Sequence, residues 1–437
     1  MRGPGPGARG GRLWIVGVAL VAVSLAAGQA GAGGLIMPEV GTADVGLASA
    51  GYTARAQDAS TVFTNPAGMT RLDGSQLVLG AQLLYGDVTF SIDEGTSTAL
   101  GSDDGGVAIG WFPGGGLFYS HSLSPSVKVG VAATGNFGLT LKYDDEWVGR
   151  YYVQEGTMIG MSLVPAIAVK VSPTVSLGAS VNAMYGMLHD QVAVNNLVGA
   201  DGELTLKTSQ WGFGGNLGLL WEPGPRTRLG LVWNSELELD FSDRPEWEGL
   251  SPALEALLDS RGLLDAPVDV GITLPQGVNV SVYQQVTDRW ALLASAGWQE
   301  WSTFGQVEVG MQSGDPISLT ADLEFKDTWH AAAGAQCRLS EPWLLNFGIA
   351  YDSPFQADTV PVAVPANDSW RFGVGAQKEQ SERFSWGVAF EYAPAGGTLA
   401  VDSTGGPPVA LGGRGDLVGA FRDSALYFIA GNLSWTF

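Results

Sequence analysis

Ala425-Leu426-Tyr427-Phe428-Ile429-Ala430-Gly431-Asn432-Leu433-Ser434-Trp435-Thr436-Phe437 closes the chain, and its pattern has a period of two. Tyr427, Ile429, Leu433, Trp435 and Phe437 share one face, with Gly431 as a small exception. Leu426, Phe428, Ala430, Asn432, Ser434 and Thr436 share the other. Successive side chains of a strand point to opposite sides. Large apolar groups on one side and small or polar groups on the other describe a strand with lipid outside and a lumen inside. The same alternation recurs where Phe384, Trp386, Val388, Phe390 and Tyr392 oppose Ser385, Gly387, Ala389 and Glu391. It recurs again where Val175, Leu177, Ala179, Val181, Ala183 and Tyr185 oppose Ser176, Gly178, Ser180 and Asn182.

A soluble β-sandwich also alternates. Length separates the two architectures: several of these segments run for 15–20 residues, whereas sandwich strands average ~5–6. Aromatics near strand ends, such as Trp290 and Trp298, suit the girdles at a membrane interface. Alternating segments fall at 75–93, 115–123, 127–141, 156–172, 174–194, 204–222, 226–241, 267–286, 289–310, 317–338, 342–352, 367–379, 383–400 and 423–437. That is fourteen, an even number as bacterial single-chain barrels require. Tight connections at Ser172-Pro173, Glu222-Pro223-Gly224-Pro225 and Glu341-Pro342 are expected on the periplasmic side. The longer ones, at 142–155, 195–203, 242–266, 311–316, 353–366 and 401–422, are expected outside. The fold expected is an all-β transmembrane antiparallel barrel occupying residues 74–437.

Composition agrees. Of 437 residues 45% are hydrophobic and only 15% charged, against about 25% charged in an ordinary soluble domain. A lipid-facing surface has no use for charge. After the first thirty residues no apolar run reaches the ~20 needed for a spanning helix. The net charge of -22 argues against a nucleic-acid partner, because nothing neutralises phosphates. The one cysteine, Cys337, forms no intrachain disulfide, and His121, His189 and His330 lack the spacing of a metal site. Neither a metal nor a cofactor is expected.

Residues 1–32 read as a secretory signal peptide. Arg2, Arg9 and Arg12 make a basic start, residues 13–27 an apolar run, and Ala30 and Ala32 a small-residue cleavage pattern, with cut sites after Ala32 or Ala30. Residues 33–73 do not alternate; 42–59 is alanine-rich and helix-compatible and leads into Thr64-Asn65-Pro66-Ala67-Gly68-Met69. A fourteen-strand lumen is too wide for side chains to fill alone. This segment is therefore expected inside as a small, partly helical plug, the alternative being a periplasmic tail. In 246–264, Leu250, Leu254, Leu257 and Leu258 stand at helical spacing, with Ser251-Pro252 as a start signal and Gly262 as a stop. Such a helix in an external loop packs on a neighbour or lines an entry groove for a greasy ligand.

Seven stretches, in order along nearly the whole mature chain, carry a family resemblance. They are 58–69, Trp147-Val148-Gly149-Arg150-Tyr151, 210–218, Trp298-Gln299-Glu300-Trp301-Ser302-Thr303-Phe304, 325–329, 348–354 and Val364-Pro365-Ala366-Asn367-Asp368. Together they resemble the long-chain fatty acid transporter family that includes FadL and the toluene transporter TodX. The resemblance implies a fourteen-strand barrel in the outer membrane of a Gram-negative bacterium, closed by an N-terminal hatch. It further implies passive uptake of long-chain fatty acids or aromatic and aliphatic hydrocarbons. Capture occurs at an external groove (Leu250, Leu254, Leu257, Leu258), followed by transfer to a lumenal pocket near the mature N-terminus. It assigns gating to Asn65, Pro66, Ala67 and Gly68, ligand contacts to Leu35, Met37, Arg150 and Lys326, and an inward kink that opens the wall to Gly135, Asn136, Phe137 and Gly138. The partners implied are a hydrophobic small molecule, outer-membrane lipids and the barrel assembly machinery, with the chain a monomer.

One departure stands out. Family members that carry fatty acids hold the carboxylate with basic lumenal residues; Lys326 matches one such position, but Met184-Tyr185-Gly186-Met187-Leu188-His189 lacks an arginine expected in that strand. This favours a neutral hydrocarbon over a carboxylate. Two other functions compete: a diffusion porin for polar solutes, which would lack the plug, and an outer-membrane hydrolase. Catalytic residues are not expected, since no G-x-S-x-G elbow is present and the histidines form no obvious triad.

Overall fold

The computed structural model describes residues 36–304, 306–311, 317–322, 325–356, 360–365 and 368–437. The leader, residues 1–32, and Leu35 lie outside them.

Fourteen strands form the wall: β1 (Gln76–Asp87), β2 (Gly110–Ser122), β3 (Val127–Lys142), β4 (Glu155–Lys170), β5 (Val175–Val194), β6 (Gly202–Gly224) and β7 (Thr227–Asn234), followed by β8 (Gly277–Gln285), β9 (Trp290–Gln299), β10 (Thr328–Ser340), β11 (Trp343–Asp352), β12 (Ser369–Ser381), β13 (Phe384–Pro394) and β14 (Ala425–Thr436). Each pairs antiparallel with the next in sequence, and β14 returns to β1 in a register running from Gln76–Thr436 to Asp87–Ala425. Closure pairs the last strand with the first, so neither is left as an open edge in lipid, where an unsatisfied backbone group is costly. The two faces of β14 separate as its pattern requires: Ile429 and Leu433 are 52% and 43% exposed on the outside, while Phe428, Asn432 and Ser434 are buried within. Short turns at 123–126, 171–174, 225–226, 286–289, 341–342 and 382–383 mark one rim, where Phe437 N donates to Ser75 O at 2.8 Å.

All fourteen alternating segments correspond to wall strands, but four of them break midway. Beyond Asn234, before Gly277, beyond Gln299 and before Thr328 the chain leaves the wall. The outer halves, Leu237–Asp243, Val268–Leu274, Gln306–Met311 and Ile317–Asp322, form a separate four-stranded sheet. Pro275 interrupts the ladder at one break, and Trp301–Phe304 makes a helical turn at another. The sheet leans inward: Leu239 lies over the lumenal side of Gly186 and Gly212, positions where a side chain would meet it. Its Leu239, Phe241, Val270 and Ile272 are buried. In the external loop, helix Pro252–Ser260 forms with Ser251 as its cap.

Residues 36–72 lie against the inner side of the wall and are almost wholly buried. The helix expected over 42–59 is short, Thr42–Gly46. It ends because Ala48 and Ser49 take positive φ, and the backbone then turns to the wall: Ser295 Oγ accepts from Gly51 N at 2.9 Å and donates to Ser49 O at 3.0 Å, and Ser281 Oγ accepts from Thr53 N at 3.1 Å. Buried hydroxyls on β8 and β9 replace the intrahelical partners. Tertiary contacts thus override the local preference.

Candidate functional site: the lumen and a gap in the wall

The wall is built to receive the N-terminal segment. At Gly348 and Gly373 the backbone of residues 45–48 comes so close that a Cβ would overlap it. A Cβ at Gly178 or Gly230 would likewise overlap the backbone at Ala67 or Thr53, and one at Gly218 the side chain of Asn65. Asn65, with no exposure, fixes that end: its Nδ2 donates to Thr53 O at 2.7 Å and to Leu219 O of β6 at 3.1 Å, and its Oδ1 accepts from Ala67 N at 3.1 Å. Pro66 then opens the 3₁₀ turn Pro66–Arg71, where its missing N–H costs nothing. Gly68 packs on Thr61, leaving no room for a side chain.

Two buried charge groups hold the rest. Asp44 Oδ1 accepts from Arg55 Nη2 at 2.7 Å within the segment. Burial pushes the Asp44 carboxyl up to about 6, against the pull of Arg55. A second group ties the segment to three strands. Arg371 of β12 is 1% exposed; it pairs with Glu39, meets Asp352 of β11 through Nε at 2.8 Å, and lies 3.7 Å from Glu391 of β13. His330 Nδ1 of β10 stands 2.7 Å from Asp352 Oδ1.

Between β2 and β3 the wall is incomplete. β2 and β3 pair only from Ser122–Lys128 to Gly116–Thr134. Beyond that, β2 stays with β1 up to Gly110, while β3 stays with β4 and carries a bulge between Gly135 and Phe137. Gly138 has φ +107°, and a Cβ there would overlap the Met158 carbonyl. Only glycine fits this bend. The bent strand is met from inside: Met37 N donates to Asn136 O at 2.9 Å, and Ile36 bridges Phe137.

A cavity of about 330 Å³ fills the gap, lined on its inner side by Met37, Val40 and Thr42 and on its outer side by the lipid-facing Ala81, Pro113 and Met161. A second cavity, of about 150 Å³, lies across Met37 beneath the inward-leaning sheet. Its lining combines Ile36, Phe63, Met184 and Leu274 with asparagines from several strands. Met37 and the residues beside it separate the two spaces.

The structure therefore brings together Met37, the bend at 135–138 and, through the same segment, Asn65–Gly68. It does not bring Arg150 or Lys326 to them. Arg150 sits among the external loops, where its Nε donates to Asp201 at 3.0 Å and its Nη1 to Leu100 O at 2.9 Å. Loop packing consumes its donors. Lys326 is exposed and lines neither cavity; its backbone N donates to Phe355 O at 2.7 Å, outside the barrel strands. Leu250, Leu254 and Leu257 are half-buried and Leu258 is buried on the inner side of the loop helix. The Arg371 group escaped the sequence reading. Its one signal is charge at inward parity in alternating strands: Arg371 and Glu391 both occupy positions that should face a lumen.

The fold and the position of its apolar belt define an integral β-barrel of the outer membrane. The chain belongs to the outer membrane protein transport protein family (OMPP1/FadL/TodX), whose model matches residues 23–402. It is 27% identical to outer membrane protein P1 of Haemophilus influenzae, over 85% of this chain and 88% of that protein. It is also 27% identical to the long-chain fatty acid transport protein of Escherichia coli, over 85% and 89% respectively. Among solved structures it resembles that of a Pseudomonas aeruginosa FadL homologue, with a TM-score of 0.81 at 20% identity, over 92% of this chain and 99% of that one.

Proposed function

We propose that this chain takes up hydrophobic molecules, fatty acids or hydrocarbons, passively across the outer membrane and releases them sideways into it. The observation that carries the proposal is the 330 Å³ cavity, whose lining passes from lumenal to lipid-facing residues where β2 and β3 part. An apolar solute gains ~25 cal/mol per Å² on leaving water, so a water-filled pore is a poor conduit for it. An apolar side exit avoids that barrier. Residues 36–72 act as the plug, with Asn65, Pro66, Ala67 and Gly68 fixing one end and Met37 separating the inner cavity from the exit. The stripe Leu250, Leu254, Leu257 and Leu258 takes part in external capture. Lipids surround the wall, the barrel assembly machinery inserts it, and a monomer suffices because both cavities are built from one chain. The names of the relatives, one of them a long-chain fatty acid transport protein, support the ligand class.

Uptake of radiolabelled oleate and toluene by cells with and without the protein tests this, alongside conductance in planar bilayers. Uptake with little steady conductance is expected. A large steady pore that passes sugars, with no gain in oleate or toluene uptake, overturns it in favour of a porin.

A further inference from the structure

Two glycines beside the gap are required by neither backbone conformation nor packing. In β1, Val78 and Leu84 are buried while Leu79 and Leu83 are exposed toward lipid, so Gly80 between them faces inward. It pairs with Gly116 of β2, and Gln82 pairs with Gly114, in a register that runs unbroken from Gln76–Ser120 to Gly86–Gly110. Neither Gly80 nor Gly114 takes a positive φ. A Cβ at Gly80 would meet only Gly116 O, at 3.8 Å, and one at Gly114 only Gln82 Cβ, also at 3.8 Å. Both are ordinary contacts, so a side chain fits at either place.

Other inward glycines of the wall differ. A Cβ at Gly348 or Gly373 would overlap the N-terminal segment, and one at Gly116 the ring of Phe118. There glycine makes room for protein. Gly80 and Gly114 instead face open space, and both line the 330 Å³ cavity together with Met37, Val40 and Thr42. Glycine weakens a strand, where a β-branched or aromatic residue packs better. What the two glycines supply in exchange is the width of the cavity. Ligand pockets span about 300–1,000 Å³, so this one stands at the small end and a single added side chain takes a sizeable share of it. An unbranched acyl chain passes through a slot one carbon wide; fused rings need a wider one.

We propose that Gly80 and Gly114 set the bore of the exit, and that they keep it wide enough for fused-ring hydrocarbons as well as single acyl chains. This rests on the side exit above and names two residues that fix which ligands use it. Uptake of radiolabelled phenanthrene and oleate is measured in cells carrying leucine or alanine at position 80 or 114. Uptake by cells without the protein is subtracted, and each variant is checked for the heat-modifiable gel shift of a folded barrel. The control is Gly215→Leu in β6, where a Cβ meets nothing within 4 Å and which lines neither cavity. The ratio of phenanthrene to oleate uptake is expected to fall severalfold in Gly80→Leu and Gly114→Leu, less in Gly80→Ala and Gly114→Ala, and to hold in the control. Where a leucine variant fails to assemble, the alanine variant at that position carries the test, with a smaller fall in the same direction. An unchanged ratio at both positions, or uptake of oleate without phenanthrene by the unaltered chain, overturns the proposal while leaving hydrophobic uptake standing. If the unaltered chain takes up neither probe, both fall.

Discussion

Arg371 on β12 and Glu39 on the N-terminal segment form an ion pair in which the two side chains are 1% and 3% exposed, across 332 residues of sequence. The same guanidinium meets Asp352 at 2.8 Å and faces Glu391, whose oxygens have no hydrogen-bond partner among the described residues. Arginine suits this place because its planar fork serves several acceptors at once, which an ammonium cannot. The pair anchors the stretch of chain that also crosses to the bent β3 at Asn136.

Replacing the cation leaves three carboxylates buried together. Arg371→Met is therefore expected to cost about 3–5 kcal/mol, the usual penalty for stripping one partner from a buried ion pair. Glu39→Gln should cost less, about 1–3 kcal/mol, since Asp352 and Glu391 still engage the guanidinium. Thermal loss of the heat-modifiable gel form measures both. Equal effects for the two variants would mean that the charge on the segment, and not the cation in the wall, dominates.

Asn65 tests the opposite end of the segment. Asn65→Ala removes two donors to Thr53 O and Leu219 O and the acceptor of Ala67 N. Leaving those groups unpaired costs about 1–3 kcal/mol each at most. The barrel ladders are untouched, so assembly should proceed, while the loosened segment alters oleate uptake and raises leak current in planar bilayers. Unchanged uptake and current in the variant count against a gating role for this residue.

Much of the wall was legible because lipid outside and lumen inside impose one rule on every strand, and β14 obeys it from Leu426 to Ser434. The breaks at Ser235, Pro275 and Glu300 were not legible, since alternation continues straight through them: the outer sheet also buries one face and exposes the other. The bend at 135–138 carried a local signal in its glycines. The partners of the N-terminal segment carried none. Ser281, Ser295 and Arg371 read as ordinary inward positions until the chain that meets them is placed, because a buried polar group is defined by its partner and the partners here are over two hundred residues away.

Asp44 gives the segment a dependence on pH. Its carboxyl is raised to about 6, first by burial, with Arg55 opposing and Asp58 and Glu39 adding to the rise. A raised acid binds its proton more tightly when the segment is docked than when it is free. The contribution is thus full below the ordinary value of 3.8 and is lost as pH climbs through about 6. The shift corresponds to about 3 kcal/mol. Brief openings in planar bilayers should become more frequent over that interval, and Asp44→Asn should flatten the rise. A rise identical in the variant assigns the dependence to another group.

Gly138 decides whether the gap in the wall matters for transport. With φ at +107° and the Met158 carbonyl where a Cβ would sit, Gly138→Ala cannot keep the bend. The backbone term alone is about 1–3 kcal/mol, and the overlap adds to it. β3 relieves both by straightening, which brings residues beyond Thr134 back toward the open edge of β2 and narrows the cavity between them. Uptake of labelled oleate should fall severalfold in barrels that still show the heat-modifiable shift. Gly215→Ala is the matched control, a β6 glycine whose Cβ would meet nothing within 4 Å. If Gly138→Ala folds and transports like that control, the gap is not the exit, and release must run through the periplasmic rim instead.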